Sequence, residues 1–259
     1  MRLAGLSVLI TGASSGIGTA TARRLAATGA RVILHGRDPD RLAEVAGATG
    51  GTALTGELSD PAGARAVAHR AIEVAGRIDV LVSNAGIGWC GGLTSMTATD
   101  IARVLAVNLH APIELTRALL PGMLARGSGR LVYVGSIAGR TGVAEEAVYA
   151  ASKAGLDTFA ESLRFELAGT GIGVSTVVPG VVDTPFFTHR GRPYGRTRPR
   201  PVPADTVAAA IERLLVTGRA DRYVPGWLAF PAALRVVAPT LYRALATRFG
   251  GSPGQGQDE

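Results

Sequence analysis

Thr11-Gly12-Ala13-Ser14-Ser15-Gly16-Ile17-Gly18 follows an apolar run at residues 7–10 and opens onto an Ala- and Arg-rich stretch, residues 16–27. The run reads as a strand and the stretch as a helix, so the octapeptide is a strand-to-helix turn. Glycines at 12, 16 and 18 let the backbone turn tightly and come close to an anion, and the helix N-terminus just beyond favours a pyrophosphate. The spacing is Gly-x3-Gly-x-Gly rather than Gly-x-Gly-x-x-Gly. Alone, it would also describe a glycine-rich turn that binds nothing; the strand before it and the helix after it give it meaning.

Outward from this turn the same alternation continues. Apolar runs at residues 31–34, 53–55, 80–83, 130–134 and 173–178 are separated by helical patterns at 40–46, 62–75, 99–126 and 147–168. Strands alternating with helices build βαβ units and a parallel sheet. Asp38-Pro39 and Asp60-Pro61 each place a capping acid before a proline at the first helical position. The expectation is an α/β fold: one doubly wound, Rossmann-like domain over residues 1–226, with about seven parallel strands and helices on both faces. Residues 227–249 form an apolar C-terminal extension, and residues 250–259, rich in Gly, Ser, Pro and Gln, read as a disordered tail.

Composition narrows the class. The chain has 259 residues, enough for one large core. Its 47% hydrophobic and 18% charged residues exclude a disordered chain. A single cysteine, Cys90, excludes a disulfide framework and fits a reducing compartment. No apolar run reaches the ~18 residues of a membrane span, and Thr11-Gly12 cuts the N-terminal apolar stretch too short for a signal peptide. These features point to a soluble, cytoplasmic protein. The net charge is +7, but Arg190, Arg192, Arg196, Arg198 and Arg200 lie in one acid-free stretch, and removing those five leaves +2. The excess is local and no aromatic platform interleaves with it, which argues against a nucleic-acid partner. The four histidines show no metal-ligand spacing, so no metal is expected.

The second strand runs into His35-Gly36-Arg37-Asp38. An acid about 20 residues past the glycines would bind the ribose hydroxyls of NAD. Asp38 is a candidate, yet with Pro39 behind it, it reads better as a helix cap. Gly36 occupies the strand-end position of such an acid, and the Arg37 guanidinium suits a 2′-phosphate beside the hydroxyls of Ser14 and Ser15. The reading favours NADP over NAD.

Tyr149 and Lys153 stand at i, i+4 on the helical stretch 147–168 and share a face. A free tyrosine, with a pKa of ~10, exchanges protons poorly at neutral pH. An ammonium nearby is expected to lower that value. Among twenty-six arginines Lys153 is the one lysine, which argues that a planar guanidinium does not serve there. Ser136 lies just past the strand 130–134, where a hydroxyl would hold a substrate oxygen while the tyrosine exchanges its proton.

In order, Thr11–Gly18, Asn84-Ala85-Gly86, Asn108, Ser136, Tyr149/Lys153 and Pro179-Gly180 resemble the landmarks of the short-chain dehydrogenase/reductase family, in its Thr-Gly-x3-Gly-Ile-Gly and Tyr-x3-Lys branch, across roughly residues 5 to 226. The resemblance implies hydride transfer between a nicotinamide and a carbonyl or alcohol carbon, with Tyr149 as general acid/base. It implies that Lys153 lowers the Tyr149 pKa and grips the nicotinamide ribose. Ser136 would orient the substrate oxygen, and Asn108 would sustain a water-linked proton relay. By the same resemblance Gly12, Ser14, Ser15, Gly16, Ile17 and Gly18 hold the pyrophosphate side. Asn84, Ala85 and Gly86 back the adenosine, and Pro179, Gly180, Val182 and Thr184 belong to the carboxamide end. Glu57-Leu58 stands where the family has Asp-Val beside the adenine, a departure that leaves the Leu58 contact open. A homodimer or homotetramer through the helix bearing Tyr149 is implied. The rival reading from another class is a cofactor-sensing regulator on the same fold, which would need no proton donor.

Residues 185–204 read as a lid over a small-molecule carbonyl or alcohol substrate. Its arginines suit either an anionic substrate or a solvated surface loop, and five prolines favour the loop. Trp89 and Cys90 lie where they would touch substrate. Residues 227–249 carry Arg235, Arg243 and Arg248 among apolar residues. Contact with a membrane surface is conceivable for them, but packing on the domain or in a subunit interface is the favoured reading.

Overall fold

The computed structural model describes residues 2–195 and 198–249. The expected tail at 250–259 and Arg196 lie outside the described residues. Seven strands form one parallel sheet: β1 (Ser7–Thr11), β2 (Arg31–Gly36), β3 (Thr52–Thr55), β4 (Val80–Ser83), β5 (Gly129–Val134), β6 (Ile172–Pro179) and β9 (Asp221–Val224), in the order β3-β2-β1-β4-β5-β6-β9. Between β6 and β9, β7 (Val182–Asp183) and β8 (Val202–Pro203) pair apart from the sheet.

Helices cover both faces. On one side lie α1 (Gly16–Ala27), α2 (Pro39–Thr49) and α9 (Ala204–Thr217), around Ile10, Leu25, Leu42 and Ile211. On the other lie α3 (Pro61–Ala75), α5 (Ala111–Arg126) and α7 (Ala147–Glu166), around Leu9, Val67, Leu115 and Leu156. Neighbouring β1 residues therefore feed opposite cores, and every β1 residue is buried. Asp38 and Asp60 cap α2 and α3 as their sequences require, Asp60 accepting from the amides of Ala62 and Gly63. The chain continues through α4 (Ala98–Leu105), α6 (Ile137–Thr141), α8 (Phe186–His189), α10 (Ala229–Val237) and α11 (Pro239–Phe249).

The expected single helix over 99–126 is instead α4 and α5 joined by a π-helical segment, Ala106–His110. Pro112 is the local reason. It has no N–H to donate to the Asn108 carbonyl four residues back, and its ring crowds that carbonyl.

The strand order reverses between β1 and β4, and a parallel sheet opens a crevice at the carboxyl ends of strands that diverge so. Two sets of contacts close the floor of that crevice. Thr11 Oγ1 accepts the amides of Asn84 and Ala85, each at 3.0 Å, and Asn84 Nδ2 donates to the Thr11 carbonyl at 2.8 Å. Beside them a Cβ on Gly18 would lie 2.1 Å from the Gly12 carbonyl oxygen. In an exposed helix Gly→Ala stabilises by about 1 kcal/mol. At Gly18 the sign reverses: Gly18→Ala is expected to cost about 1–3 kcal/mol through overpacking. Thermal unfolding reads this as a lower Tm, and an equal or higher Tm would show that the turn yields.

Candidate active site

One cleft of about 950 Å³ runs along the carboxyl ends of the strands. At one end its wall is Arg37, Asp38, Arg41, Glu57 and Leu58; the turn Gly12–Ile17 and Asn84–Gly86 form its middle; Ser136, Tyr149, Lys153 and Pro179–Thr184 close the other end. Seventeen of the nineteen site residues expected from the sequence line this one space. Gly18 and Asn108 stand behind the wall.

The middle suits a pyrophosphate. Gly16 starts α1, its Cα faces Thr184, and the Ser15 side chain caps no amide of the helix. No acid occupies the first turn, so nothing competes with an anion for the N-terminal amides.

At the Arg37 end a Cβ on Gly36 would lie 3.1 Å from Ser14 Oγ. An acidic side chain at Gly36 would start out crowded against that hydroxyl. Asp38 works as a cap: Oδ1 accepts from Arg41 N at 3.1 Å while Oδ2 pairs with Arg41 Nε at 3.3 Å. Arg37 is exposed on the cleft wall. Glu57 Oε1 accepts from Leu58 N at 2.8 Å and Ser59 N at 3.1 Å, so its carboxylate braces the turn that presents the buried Leu58.

At the opposite end the side chains are dry. Ser136 caps α6 by accepting from Ala138 N at 3.1 Å, and its hydroxyl lies near enough to the Tyr149 phenol to pull the phenol's pKa down. Burial pushes the Tyr149 pKa up to about 12, against the lowering by Ser136. This corrects the expectation of a lowered phenol: desolvation dominates, and Lys153 is not among the groups acting on it. Lys153 is itself buried, donates from Nζ to the Val134 carbonyl at 2.9 Å, and is lowered by desolvation to about 8.

Asn108 is fully buried, and its side chain holds the cleft wall. Oδ1 accepts from Ile87 N at 2.8 Å, and Nδ2 donates to Ile87 O at 2.9 Å and Ser152 Oγ at 3.1 Å. The loop after β4 is thereby tied to the helix carrying Tyr149.

Sequence reasoning missed what covers the substrate end. The Phe186 ring centroid lies 5.5 Å from that of Tyr149, and Phe187 and Tyr194 line the same space. Arg190 is not solvated, in contrast to the favoured loop reading: its side chain is buried, pairs with Glu146 and lies 4.5 Å over the Phe187 ring. Arg192 pairs with Glu145 at 2.6 Å. The acids that neutralise this stretch immediately precede α7, some 45 residues away, where a count of neighbouring charges does not reach. The Glu145-Glu146 doublet was the available signal. Cys90 lies on the wall as a free thiol. Among the described residues no His/Cys/Asp/Glu group has metal-binding geometry, and no helix is long and apolar enough to cross a membrane.

The sequence matches the family described as short chain dehydrogenase over residues 7–194, and the chain belongs to that family. It is 42% identical over 191 residues to the ketoacyl reductase HetN of Nostoc sp., covering 72% of this chain and 67% of that one. It is 33% identical over 261 residues to the dehydrogenase/reductase SDR family member 7B of Danio rerio, covering 93% and 84%. A short-chain dehydrogenase from Sphingobium yanoikuyae in complex with NADPH superposes with a TM-score of 0.80 at 29% identity, covering 98% of this chain and 99% of that one. A family member from Burkholderia phymatum in complex with NAD gives 0.83 at 27% identity over the same shares. The protein is thus an oxidoreductase of this family, with a cleft whose residues fit a nicotinamide dinucleotide.

The cap at Asp38 gives a test. Asp38→Ala is expected to cost about 1 kcal/mol of stability and to leave the affinity for NADH unchanged in a fluorescence titration. A tenfold weaker NADH would show that this carboxylate holds a ribose instead.

Proposed function

We propose that the protein reduces a carbonyl substrate with NADPH, Tyr149 giving the proton. The observation that carries this reading is the buried Tyr149 phenol beside Ser136 at the closed end of the cleft, with Lys153 one helical turn on. The phenol carries its proton at neutral pH, as the donor in a reduction must.

The nicotinamide supplies the hydride; this chain's residues do the rest. Ser136, oriented by the Ala138 amide, directs its hydroxyl proton at the carbonyl oxygen. Tyr149 protonates that oxygen as charge develops on it. Lys153, one helical turn on and held by the Val134 carbonyl, grips the nicotinamide ribose with its ammonium. Asn108 serves the relay through its main-chain carbonyl, which Pro112 deprives of an α-helical donor, because its side chain is already engaged. Residues 185–195 cover the substrate end as a lid, and Phe186, Phe187 and Tyr194 exclude water from the transfer. Ketoacyl compounds are the first substrates to screen, since relatives carry that name. The protein acts as a homo-oligomer through α7, whose Phe165 is 71% exposed.

Arg37 selects NADPH through the 2′-phosphate. Losing a charge-assisted hydrogen bond costs about 1.5–3 kcal/mol, so Arg37→Ala is expected to weaken NADPH roughly 10–100-fold and leave NADH unaffected. Equal losses for both would refute the phosphate reading. Tyr149→Phe is expected to bind NADPH normally with no measurable turnover, and retained turnover would remove Tyr149 from the chemistry.

The pH dependence follows from Lys153. Its ammonium is present below about 8 and is lost as pH rises through that value. With limiting NADPH, kcat/KM for reduction is therefore expected to fall above about pH 8. A profile flat to pH 10 would mean that another group governs the rate.

A further inference from the structure

We propose that residues 227–245 dock the protein on an anionic lipid surface. Six of the thirteen large apolar side chains left exposed among the described residues lie in this short segment. Phe230 is 72% exposed, Val237 83% and Trp227 55%; Val236, Leu241 and Leu245 complete the set. Phe230 and Val237 stand at i, i+7 on α10, and Leu241 and Leu245 at i, i+4 on α11, so each helix presents an apolar face.

The packing expected of this segment is only partly realised. Leu228 and Ala232 are buried, Tyr242 donates its hydroxyl to the Thr141 carbonyl at 3.0 Å, and Arg235 Nη1 donates to the Arg140 carbonyl at 2.8 Å. These contacts fasten the segment to α6, the turn that starts at Ser136, and leave the apolar side chains in water. Neither helix is long enough to span a bilayer.

Charge decides the occupant. α10 and α11 contain no acid, and their sequence carries arginines at 235, 243 and 248. A second copy meeting this face through a two-fold axis would bring the arginines of these helices against their own copies, with no acid in either helix to pair them. Anionic headgroups supply the missing charge, and an apolar, basic segment with a tryptophan matches the chemistry of an interfacial anchor.

The proposal does not depend on which cofactor or substrate the cleft takes. The test is co-sedimentation of the full chain with phosphatidylglycerol–phosphatidylcholine vesicles and with phosphatidylcholine alone, at low and high salt. Strong binding to the anionic vesicles, weakened by salt, is expected, with Phe230→Ser/Val237→Ser reducing it at least about tenfold. Both side chains are exposed, so Tm and NADPH affinity should stay at the wild-type values and show that the variant is folded. Trp227 emission should shift to the blue on adding anionic vesicles, a shift absent from Trp227→Phe. Failure to bind anionic vesicles, or binding unchanged in the double variant, overturns the proposal. It is equally overturned if vesicles are ignored and the double substitution abolishes self-association on size exclusion, which would make a second copy the occupant.

Discussion

The seam between the ends of β1 and β4 is the constraint on which the site depends. Asn84 donates hydrogen bonds to Thr11 across it from both its backbone and its side chain, and Gly12 and Gly18 approach so closely that no side chain fits between them. The N-terminus of α1 consequently sits over the switch point of the sheet, with its first amides turned to the cleft. The glycines here do two things at once: they open the backbone to an anion and they pack strand against helix.

Burial organises the chemistry at the other end. Tyr149 and Lys153 lose water together, which raises one pKa and lowers the other, so both groups lean toward their neutral forms. Behind Lys153 lies an acid–base chain. Asp157 accepts from Arg140 at 2.7 Å, and Arg140 and Arg164 both reach Asp221, each at 3.4 Å. Asp157 Oδ1 has no hydrogen-bond partner and its carboxyl is raised by desolvation, yet its charge still favours the Lys153 ammonium one turn away. This network also joins α6 to β9, which places the turn after Ser136 in a fixed relation to the sheet edge.

Much of this was legible in the sequence because it is local. The glycine turn, the Asp-Pro caps and the strand-end positions of Ser136 and Thr184 are each set by residues within a few places of one another. What was not legible depends on distance or depth. The π segment at 106–110 hides inside a helical periodicity, and only Pro112 marks it. Arg190 finds Glu146 through the fold rather than along the chain. The direction of the Tyr149 shift turns on how completely α8 and the lid exclude water, which i, i+4 spacing does not reveal. The seventh strand, Asp221–Val224, is short and mostly half-buried, with too little apolar content to stand out.

The replacement of every lysine but one by arginine has a practical side. Reagents that acylate lysine find the single ε-amine enclosed while the fold holds. A lysine-specific protease likewise has one site, in the interior of α7. That bond is reached only when the long helix leaves the sheet, so a single cut yielding two fragments would count global openings of the molecule and ignore local fraying.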